Sequence, residues 1–238
     1  SPPVAFDKWI FDKLAQDDDG HIATNLGVEP TEVYSPAQRK VMIEAISEAR
    51  RICTNAALKV ESPDDAAKAL LRQYFTDATN TDLTDICVTL AKGYKKIAAG
   101  LGSSSLIISD EPGDRLGGGW NDWAFIYPSE DMKVIYLQNA WLKKADEATP
   151  DNSSPLHRCA RTIIHEMSHK ECRTEDICYG PKGLKPNGAL TGAHALHNAD
   201  SWAYFAVAVN GLLTGPDAAN ATKKNVAIRN TPSRQLTL

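Results

Sequence analysis

The sequence predicts an α+β protein that is mainly helical and carries a small sheet containing antiparallel strands. Two observations support this class. Apolar residues recur at helical spacing before residue 100 and again after residue 155. Between these stretches, residues 106–138 contain short β-branched and aromatic runs instead. The predicted order is therefore helices, a small sheet and further helices.

The first helix is predicted to begin after Ser35, which is suited to an N-cap because its hydroxyl can accept a backbone N–H bond. Pro36 follows at the first helical position, where a missing N–H costs nothing. Val41, Ile46 and Ile52 continue an apolar face. Two further helices are expected at residues 66–75 and at about residues 82–99.

The predicted sheet rests on three short runs, "LIIS", "WAFIYP" and "KVIYLQ". Glycine, aspartate and proline separate them, which is typical of strands joined by turns. We expect hairpin connections here. The helical pattern returns at Pro155, and a last helix is expected at residues 198–213.

The pattern divides the chain into residues 1–34, an N-terminal extension or linker with a short helix in "FDKWIFDKLAQ", a main domain at residues 35–213, and a C-terminal tail at residues 214–238. The tail is expected to be loosely ordered because it has few large apolar residues.

Composition narrows the class of protein. The chain has 238 residues, 42% of them hydrophobic and 24% charged, so it can bury a sizeable core. Its net charge of −4 and the absence of a large basic block argue against nucleic acid as a partner. No apolar run reaches the roughly 18 residues that a membrane span needs. We expect a monomer that is secreted or delivered outside the producing cell.

The helix after Pro155 carries the strongest chemical signal, "HEMSH" at residues 165–169. Histidines four apart lie on one face of a helix, so His165 and His169 can reach one Zn²⁺ while Glu166 reaches a water in an open position. An apolar stripe on another side of the helix anchors it to the core. Its members are Leu156, Ala160, Ile163, Ile164 and Met167.

The third ligand is not fixed by this motif. Zinc peptidases with a glycine and a histidine three and six residues later are excluded, because Cys172 and Glu175 occupy those positions. Peptidases that use a glutamate about twenty residues downstream are excluded too, since no glutamate follows Glu175. The remaining candidates are Glu175, Asp176, His194, His197 and Asp200.

Three segments carry a resemblance to a known family. "TEDICYG" at residues 174–180 resembles the TxDxxYG motif of the aspzincins, the deuterolysin and peptidyl-Lys metalloendopeptidase family. "HNADSWAYF" is similar to the family's NAD-containing segment, and "WAFIYP…KVIYLQNAW" to its sheet region. The resemblance covers residues 35–213.

The resemblance implies a zincin-like fold with an HExxH active-site helix and a zinc endopeptidase acting on protein or peptide substrates. It implies that Asp176 is the third zinc ligand and that Tyr179 stabilises the oxyanion. From the residues, two imidazoles and a carboxylate leave one position open for water, as in catalytic zinc sites, and Glu166 is suited to act as its general base.

Two departures from the family pattern concern the ligand loop. Arg173 stands where family members usually have glycine. Cys172 and Cys178 flank the loop and are either disulfide-bonded or two separate thiols, while Cys172 is also a rival zinc ligand. The other cysteines are Cys53, Cys87 and Cys159, too few for a disulfide scaffold.

Asp200 has two alternative roles. It either holds a zinc-ligand histidine from behind or lines the pocket for the residue after the cut, where it would bind substrate lysine or arginine. Lysine-specific relatives add an acidic residue three positions on, and this chain has Ala203 there. We therefore expect a basic preference rather than strict lysine specificity. Other hypotheses are a catalytically weak zinc-binding surface protein and a peptidase toxin or effector domain.

Overall fold

The computed structural model describes residues 10–11, 14–16, 22–24, 34–103, 105–109, 121–187 and 190–225, the first three stretches as backbone only. Helices account for most of these residues, and a small mixed sheet accompanies them, as expected of an α+β protein. None of the helices in these ranges combines the length and hydrophobicity needed to cross a bilayer.

Within the described ranges the helices are α1 (Pro36–Glu61), α2 (Asp65–Phe75), α3 (Thr84–Leu101), α4 (Asn139–Asp146), α5 (Ser154–Cys172), α6 (Gly192–Ala195), α7 (Ala199–Val209) and α8 (Gly215–Thr222). Helices lie at all five positions where the sequence predicted them between residues 35 and 213. The short helices α4, α6 and α8 were not predicted.

The start of α1 has the predicted chemistry. The Ser35 hydroxyl accepts a bond from the Gln38 backbone N–H at 3.1 Å, and the Gln38 side chain accepts one from the Ser35 backbone N–H at 2.9 Å. This reciprocal pair is a capping box, with Pro36 at the first helical position. It fixes where a helix of 26 residues begins.

The strands are β1 (Ile10–Phe11), β2 (Leu14–Gln16), β3 (Ile22–Thr24), β4 (Leu106–Ser109), β5 (Ala124–Phe125) and β6 (Lys133–Leu137). Four of them form one sheet in the order β1-β4-β6-β5, in which β5 pairs antiparallel with β6 and the other pairs are parallel. The three runs quoted from the sequence supply β4, β5 and β6. Only the β5–β6 connection is the expected hairpin, since β4 and β6 run parallel.

Helix α5 lies at the centre of the helical layer, where it packs against α1, α3, α4 and α7. Four residues of its predicted apolar stripe are fully buried: Ala160, Ile163, Ile164 and Met167. Burial of each large side chain contributes about 1.5–3 kcal/mol, so this stripe holds the helix firmly in the core. Side chains on the other faces of α5 are therefore attached to a helix whose position is fixed by the core.

Two expectations about the chain ends were wrong. The short helix expected in "FDKWIFDKLAQ" is replaced by β1 and β2, because pairing of β1 with the edge of β4 overrides the local helical pattern. The tail was expected to be loosely ordered, but residues 215–222 form α8, which has Pro216 at its second position and buries Ala221. The extension also contains β3, while its remaining residues before Tyr34 and residues 226–238 lie outside the described residues.

Candidate metal centre

His165 and His169 lie one turn apart on the same face of α5, and both are buried. Their Nε2 atoms are 3.2 Å apart. The rings meet at an interplanar angle of 85°, so the two nitrogens converge while the rings avoid stacking on each other. The helix thus delivers two imidazole nitrogens to one point.

The other ring nitrogens determine which tautomer each histidine adopts. His169 Nδ1 lies 2.7 Å from the Thr174 carbonyl oxygen, which can only accept, so this nitrogen carries the proton. His165 Nδ1 lies 2.6 Å from Asp200 Oδ1, and an ionised carboxylate likewise accepts. Both Nε2 atoms are therefore left with a free lone pair, the form that binds metal.

Asp176 joins the two histidines from the loop after α5. Its Oδ1 atom lies 3.0 Å from His165 Nε2 and 3.3 Å from His169 Nε2. Of the other third-ligand candidates, Glu175, His194 and His197 are exposed. Asp200 contacts His165 through the opposite ring nitrogen. The structure thus brings only Asp176, among these five, to both Nε2 atoms.

These three atoms fit a zinc ion. Tetrahedral bonds of about 2.0–2.1 Å place neighbouring ligand atoms about 3.3–3.4 Å apart, close to the observed 3.0–3.3 Å. The tautomers put no proton between the three atoms, so their lone pairs repel unless a cation joins them. Asp176 Oδ1 is also buried without a hydrogen-bond partner. Two imidazoles and one carboxylate are a donor set typical of catalytic zinc.

The charges around the site favour a cation as well. Burial would lower the pKa of His165, yet Asp200 and Asp176 outweigh it and raise the pKa well above its ordinary value. Burial would raise the pKa of Asp176, yet the adjacent His165 and His169 rings outweigh burial and lower it far below the usual range. The surroundings of the two residues therefore favour a positive charge at the point where their ligand atoms meet.

Glu166 and Tyr179 lie beside this group. The nearer Glu166 oxygen is 3.9 Å from His165 Nε2, farther than Asp176, and burial raises the pKa of its carboxyl against the opposing histidine charges. The Tyr179 ring lies parallel to His165 with centroids 6.1 Å apart. Burial and the nearby Asp176 and Asp200 raise the Tyr179 pKa, so its hydroxyl stays protonated.

The loop that carries Asp176 and Tyr179 is tied to the start of α7. Glu175 N–H donates to the His197 carbonyl at 2.7 Å, and Ala199 N–H donates to the Glu175 carbonyl at 3.0 Å. Asn198, which is fully buried, accepts from the backbone N–H groups of Ile177 and Cys178 at 3.1 and 3.0 Å. It also donates to the Cys178 carbonyl at 3.0 Å. The Asn198 side chain thus pairs loop backbone groups that regular secondary structure would otherwise pair.

Both oxygens of Asp200 are engaged. Oδ1 accepts from His165 Nδ1, and Oδ2 accepts from the Gly180 backbone N–H at 2.8 Å. These contacts favour the alternative in which Asp200 orients a histidine from behind. Ala203, one turn further on, is fully buried and supplies no charge.

The two departures noted in the sequence have structural counterparts. Arg173 ends α5 with φ = 55°, a left-handed conformation that glycine adopts more easily, which explains why the family pattern has glycine there. Cys172 and Cys178 are free thiols, in keeping with the second alternative. Cys172 lies near Gly93 of α3, on the core side of α5. Cys178 contacts the Gly183 carbonyl.

Sequence reasoning did not find the residues that support this site. Asn198 was quoted within a motif without a role. Ser168, whose hydroxyl donates to the His165 carbonyl at 2.7 Å, lies 2.6 Å from the Thr174 hydroxyl and links the helix to the loop. The signal available was a polar residue, Ser168, between two candidate ligands on an otherwise buried helix.

Comparisons with known proteins relate the chain to zinc peptidases. A family model described as lysine-specific metallo-endopeptidase, an aspzincin model, matches residues 61–207. Peptidyl-Lys metalloendopeptidase of Armillaria mellea is 33% identical over 86 residues, which cover 35% of this chain and 22% of that protein. The chain therefore spans about a fifth of this curated relative's length.

Proposed function

Because the chain belongs to this family, the aspzincins, we propose that the protein is a zinc-dependent endopeptidase. In this proposal His165, His169 and Asp176 hold the metal, and Glu166 and Tyr179 act on the substrate. The family is zinc-dependent, and the description of its model is that of a peptidase. The alternative of a zinc-binding protein without catalysis has no support from the match.

One observation carries the proposal. Two histidine nitrogens and one carboxylate oxygen converge within 3.0–3.3 Å, and the partners of the opposite ring nitrogens leave no proton among them. Such an arrangement is unfavourable without a cation and favourable with one. Structural zinc sites close with a fourth protein ligand, whereas this set leaves a position for water or substrate.

Bound zinc supplies Lewis-acid chemistry, polarising a peptide carbonyl and making a water easier to deprotonate. Glu166 would accept the proton of the attacking water and return it to the amine of the leaving peptide. Burial suits the carboxylate to this task, because it raises the Glu166 pKa and makes the group a better base. The α5 helix fixes its position between the two histidines.

Tyr179 serves as a hydrogen-bond donor. Its raised pKa keeps the hydroxyl protonated, so it can donate to the carbonyl oxygen as negative charge develops there. The neighbouring Gly180 N–H is held by Asp200, which fixes the backbone next to Tyr179. The substrate carbonyl therefore meets a donor that is already in place.

The substrate preference is proposed to be a basic residue on the leaving-group side of the cut. Support comes from the family description and from the name of the Armillaria mellea relative. Asp200 is the carboxylate that the sequence offers for binding such a residue, but both of its oxygens already have partners. With Ala203 in place of a second acid, a general basic preference fits better than strict lysine specificity.

The zinc proposal is tested by metal analysis of the purified chain and of Asp176→Ala. We expect about one zinc per wild-type chain and little in the variant, because two histidines alone bind zinc poorly. Glu175→Ala is the matched control, since that neighbouring carboxylate is exposed. Equal zinc content in wild type and Asp176→Ala removes Asp176 from the ligand set.

Substrate preference is tested by digesting a peptide library with and without a chelator and identifying the cuts by mass spectrometry. Asp200→Asn separates the two roles of Asp200. A flattened cleavage profile with zinc retained supports a pocket role. Weakened zinc binding with an unchanged profile supports orientation of His165. A wild-type profile without basic preference refutes the specificity proposal.

A further inference from the structure

The segment formed by α8 and the residues after it, 215–225, lies outside the range that the family model matches and contacts both parts of the metal site. At its start, Asp217 reaches α5. At its end, residues 223–225 reach the loop that carries Asp176 and Tyr179. We call residues 215–225 the C-terminal strap.

Two pairs of side chains join α5 to α7 behind the metal site. His165 bonds Asp200, and one turn away Arg161 lies over the Tyr204 ring with its guanidinium carbon 4.1 Å from the ring centroid. Arg161 and His165 are four apart on α5, and Asp200 and Tyr204 are four apart on α7, so the pairs lie one above the other. A change in the position of Arg161 therefore affects the neighbouring His165–Asp200 pair.

Arg161 is a buried cation that is bonded to Asp217 and interacts electrostatically with Asp200. It is 9% exposed, and its Nη1 atom donates to Asp217 Oδ2 at 2.7 Å. Burial would lower its pKa, yet Tyr204, Asp217 and Asp200 outweigh burial and raise it. Asp217 also lies 3.9 Å from Arg158 Nε, so one strap carboxylate faces two α5 arginines.

A buried charge that loses its partner is strongly unfavourable and seeks another. Without Asp217, the next carboxylate for Arg161 is Asp200, which the His165 Nδ1–H and the Gly180 N–H already use. An arginine drawn to Asp200 competes with His165 for that carboxylate. Loss of that bond frees the His165 ring to rotate and to change tautomer, and both weaken a metal ligand.

The other end of the strap supports the loop. Asn225 Nδ2 donates to Cys178 Sγ at 2.9 Å and lies 3.4 Å from the Gly183 carbonyl oxygen, and Lys224 pairs with Lys185 in a parallel bridge. The backbones approach so closely that a Cβ at Gly183 would lie 2.6 Å from the Lys223 and Lys224 carbonyl oxygens. Cys178 is two residues from Asp176, so the strap limits the path of the ligand loop.

We propose that the C-terminal strap positions the metal site, with Asp217 as a positioning residue that keeps Arg161 away from Asp200 and thereby leaves Asp200 to orient His165. The inference rests on the proposed zinc function. It assigns a role to a part of the chain that the family match does not include.

The test measures zinc affinity of the full chain by competition with a chromophoric chelator. Asp217→Asn is expected to bind zinc about threefold to tenfold more weakly, below the 10–100-fold typical of a residue bonded directly to a ligand. Asp65→Asn is the matched control, the same change at an exposed carboxylate in the first turn of another helix. Asp217→Glu, which keeps the charge, is expected to recover most of the affinity.

The double variant Arg161→Met, Asp217→Asn distinguishes positioning from simple structural support. Removing the cation along with its partner should restore zinc affinity to within about twofold of wild type, because nothing then competes for Asp200. A double variant as weak as Asp217→Asn overturns the role of Asp217, as does a single variant that equals Asp65→Asn.

Asn225→Ala tests the other end of the strap and covers the case in which Asp217→Asn does not fold. We expect zinc binding about twofold to threefold weaker with the circular dichroism spectrum unchanged, since the contacts of Asn225 with Cys178 and the Gly183 carbonyl are lost. Unchanged zinc affinity in Asn225→Ala refutes the proposed role of the C-terminal strap. Failure of the wild-type chain to bind zinc at all refutes the proposed function instead, so the two failures are distinguishable.

Discussion

Helix α5, which carries His165 and His169, and the loop that carries Asp176 and Tyr179 contribute to one site but are held in different ways. The helix satisfies its own backbone and buries a four-residue apolar stripe in the core. The loop has no ladder of its own, and its backbone bonds run to Asn198, Asp200, the residues before α7 and the strap. Local opening of the site is therefore expected to begin at the loop.

The largest expected effect on peptidase rate comes from Glu166, on helix α5. Glu166→Gln should keep zinc and fold but lose about 10²–10⁴ in peptidase rate, because an amide cannot accept the water proton. The rate is measured with a peptide substrate, and zinc by metal analysis. Glu171→Gln, the same change five residues further along α5, is the control and should remain active. Substantial turnover by Glu166→Gln contradicts its role as base.

Tyr179→Phe makes the corresponding change in the loop half. We expect a rate loss of about 10²–10³ with zinc retained, since the variant lacks only the hydroxyl that donates to the developing oxyanion. Tyr34→Phe is the control, because its hydroxyl bonds the Leu137 carbonyl instead. A loss seen mainly as a raised KM, with kcat unchanged, would instead place the hydroxyl in ground-state binding.

The difference between helix α5 and the loop also explains which residues could be predicted from the sequence. The spacing of two histidines on a helix is local, so α5 and its buried stripe were identified from the 3.6-residue period. Motif resemblance pointed to Asp176 and Tyr179. Asn198 and the strap could not be found this way, because their contacts join residues 20 or more positions apart. No local pattern encodes such pairs.

The fold shows the same limit at the chain ends. Strand β1 pairs with β4 across about a hundred residues, and its local sequence favoured a helix. Helix α8 has three alanines among its eight residues and lacks the large apolar residues that signal an amphipathic helix. Alanine is nevertheless a good helix former, and Pro216 suits a helix start. The Asp217–Arg161 bond then fixes α8 in place.

Asn198→Ala is expected to lower the stability of the protein by removing the support of the loop. The change leaves the buried N–H groups of Ile177 and Cys178 and the Cys178 carbonyl unpaired, at a cost of about 2–3 kcal/mol in the free energy of unfolding. Zinc affinity should fall with it, because the loop loses its support. Denaturant unfolding with and without zinc measures both effects.

Asn210→Ala is the matched control for this experiment. Asn210 bonds the Ile52 and Ala206 carbonyls at the far end of α7, so its loss should lower stability without lowering zinc affinity. If both variants lower zinc affinity equally for the same loss of stability, the loop is no more sensitive than the rest of the fold. The proposed difference between the two halves then fails.

The smallest expected effect lies at Arg173, where the two halves join. A left-handed conformation costs a non-glycine residue about 1–2 kcal/mol, and glycine gives back part of that gain through its more flexible unfolded state. Arg173→Gly should therefore stabilise the protein by about 0.5–1 kcal/mol, measured by denaturant unfolding. Arg173→Ala removes the same exposed side chain but keeps the strain, so it should give no gain. Equal stabilisation by both variants would mean that the arginine side chain, rather than its backbone conformation, is unfavourable at this junction.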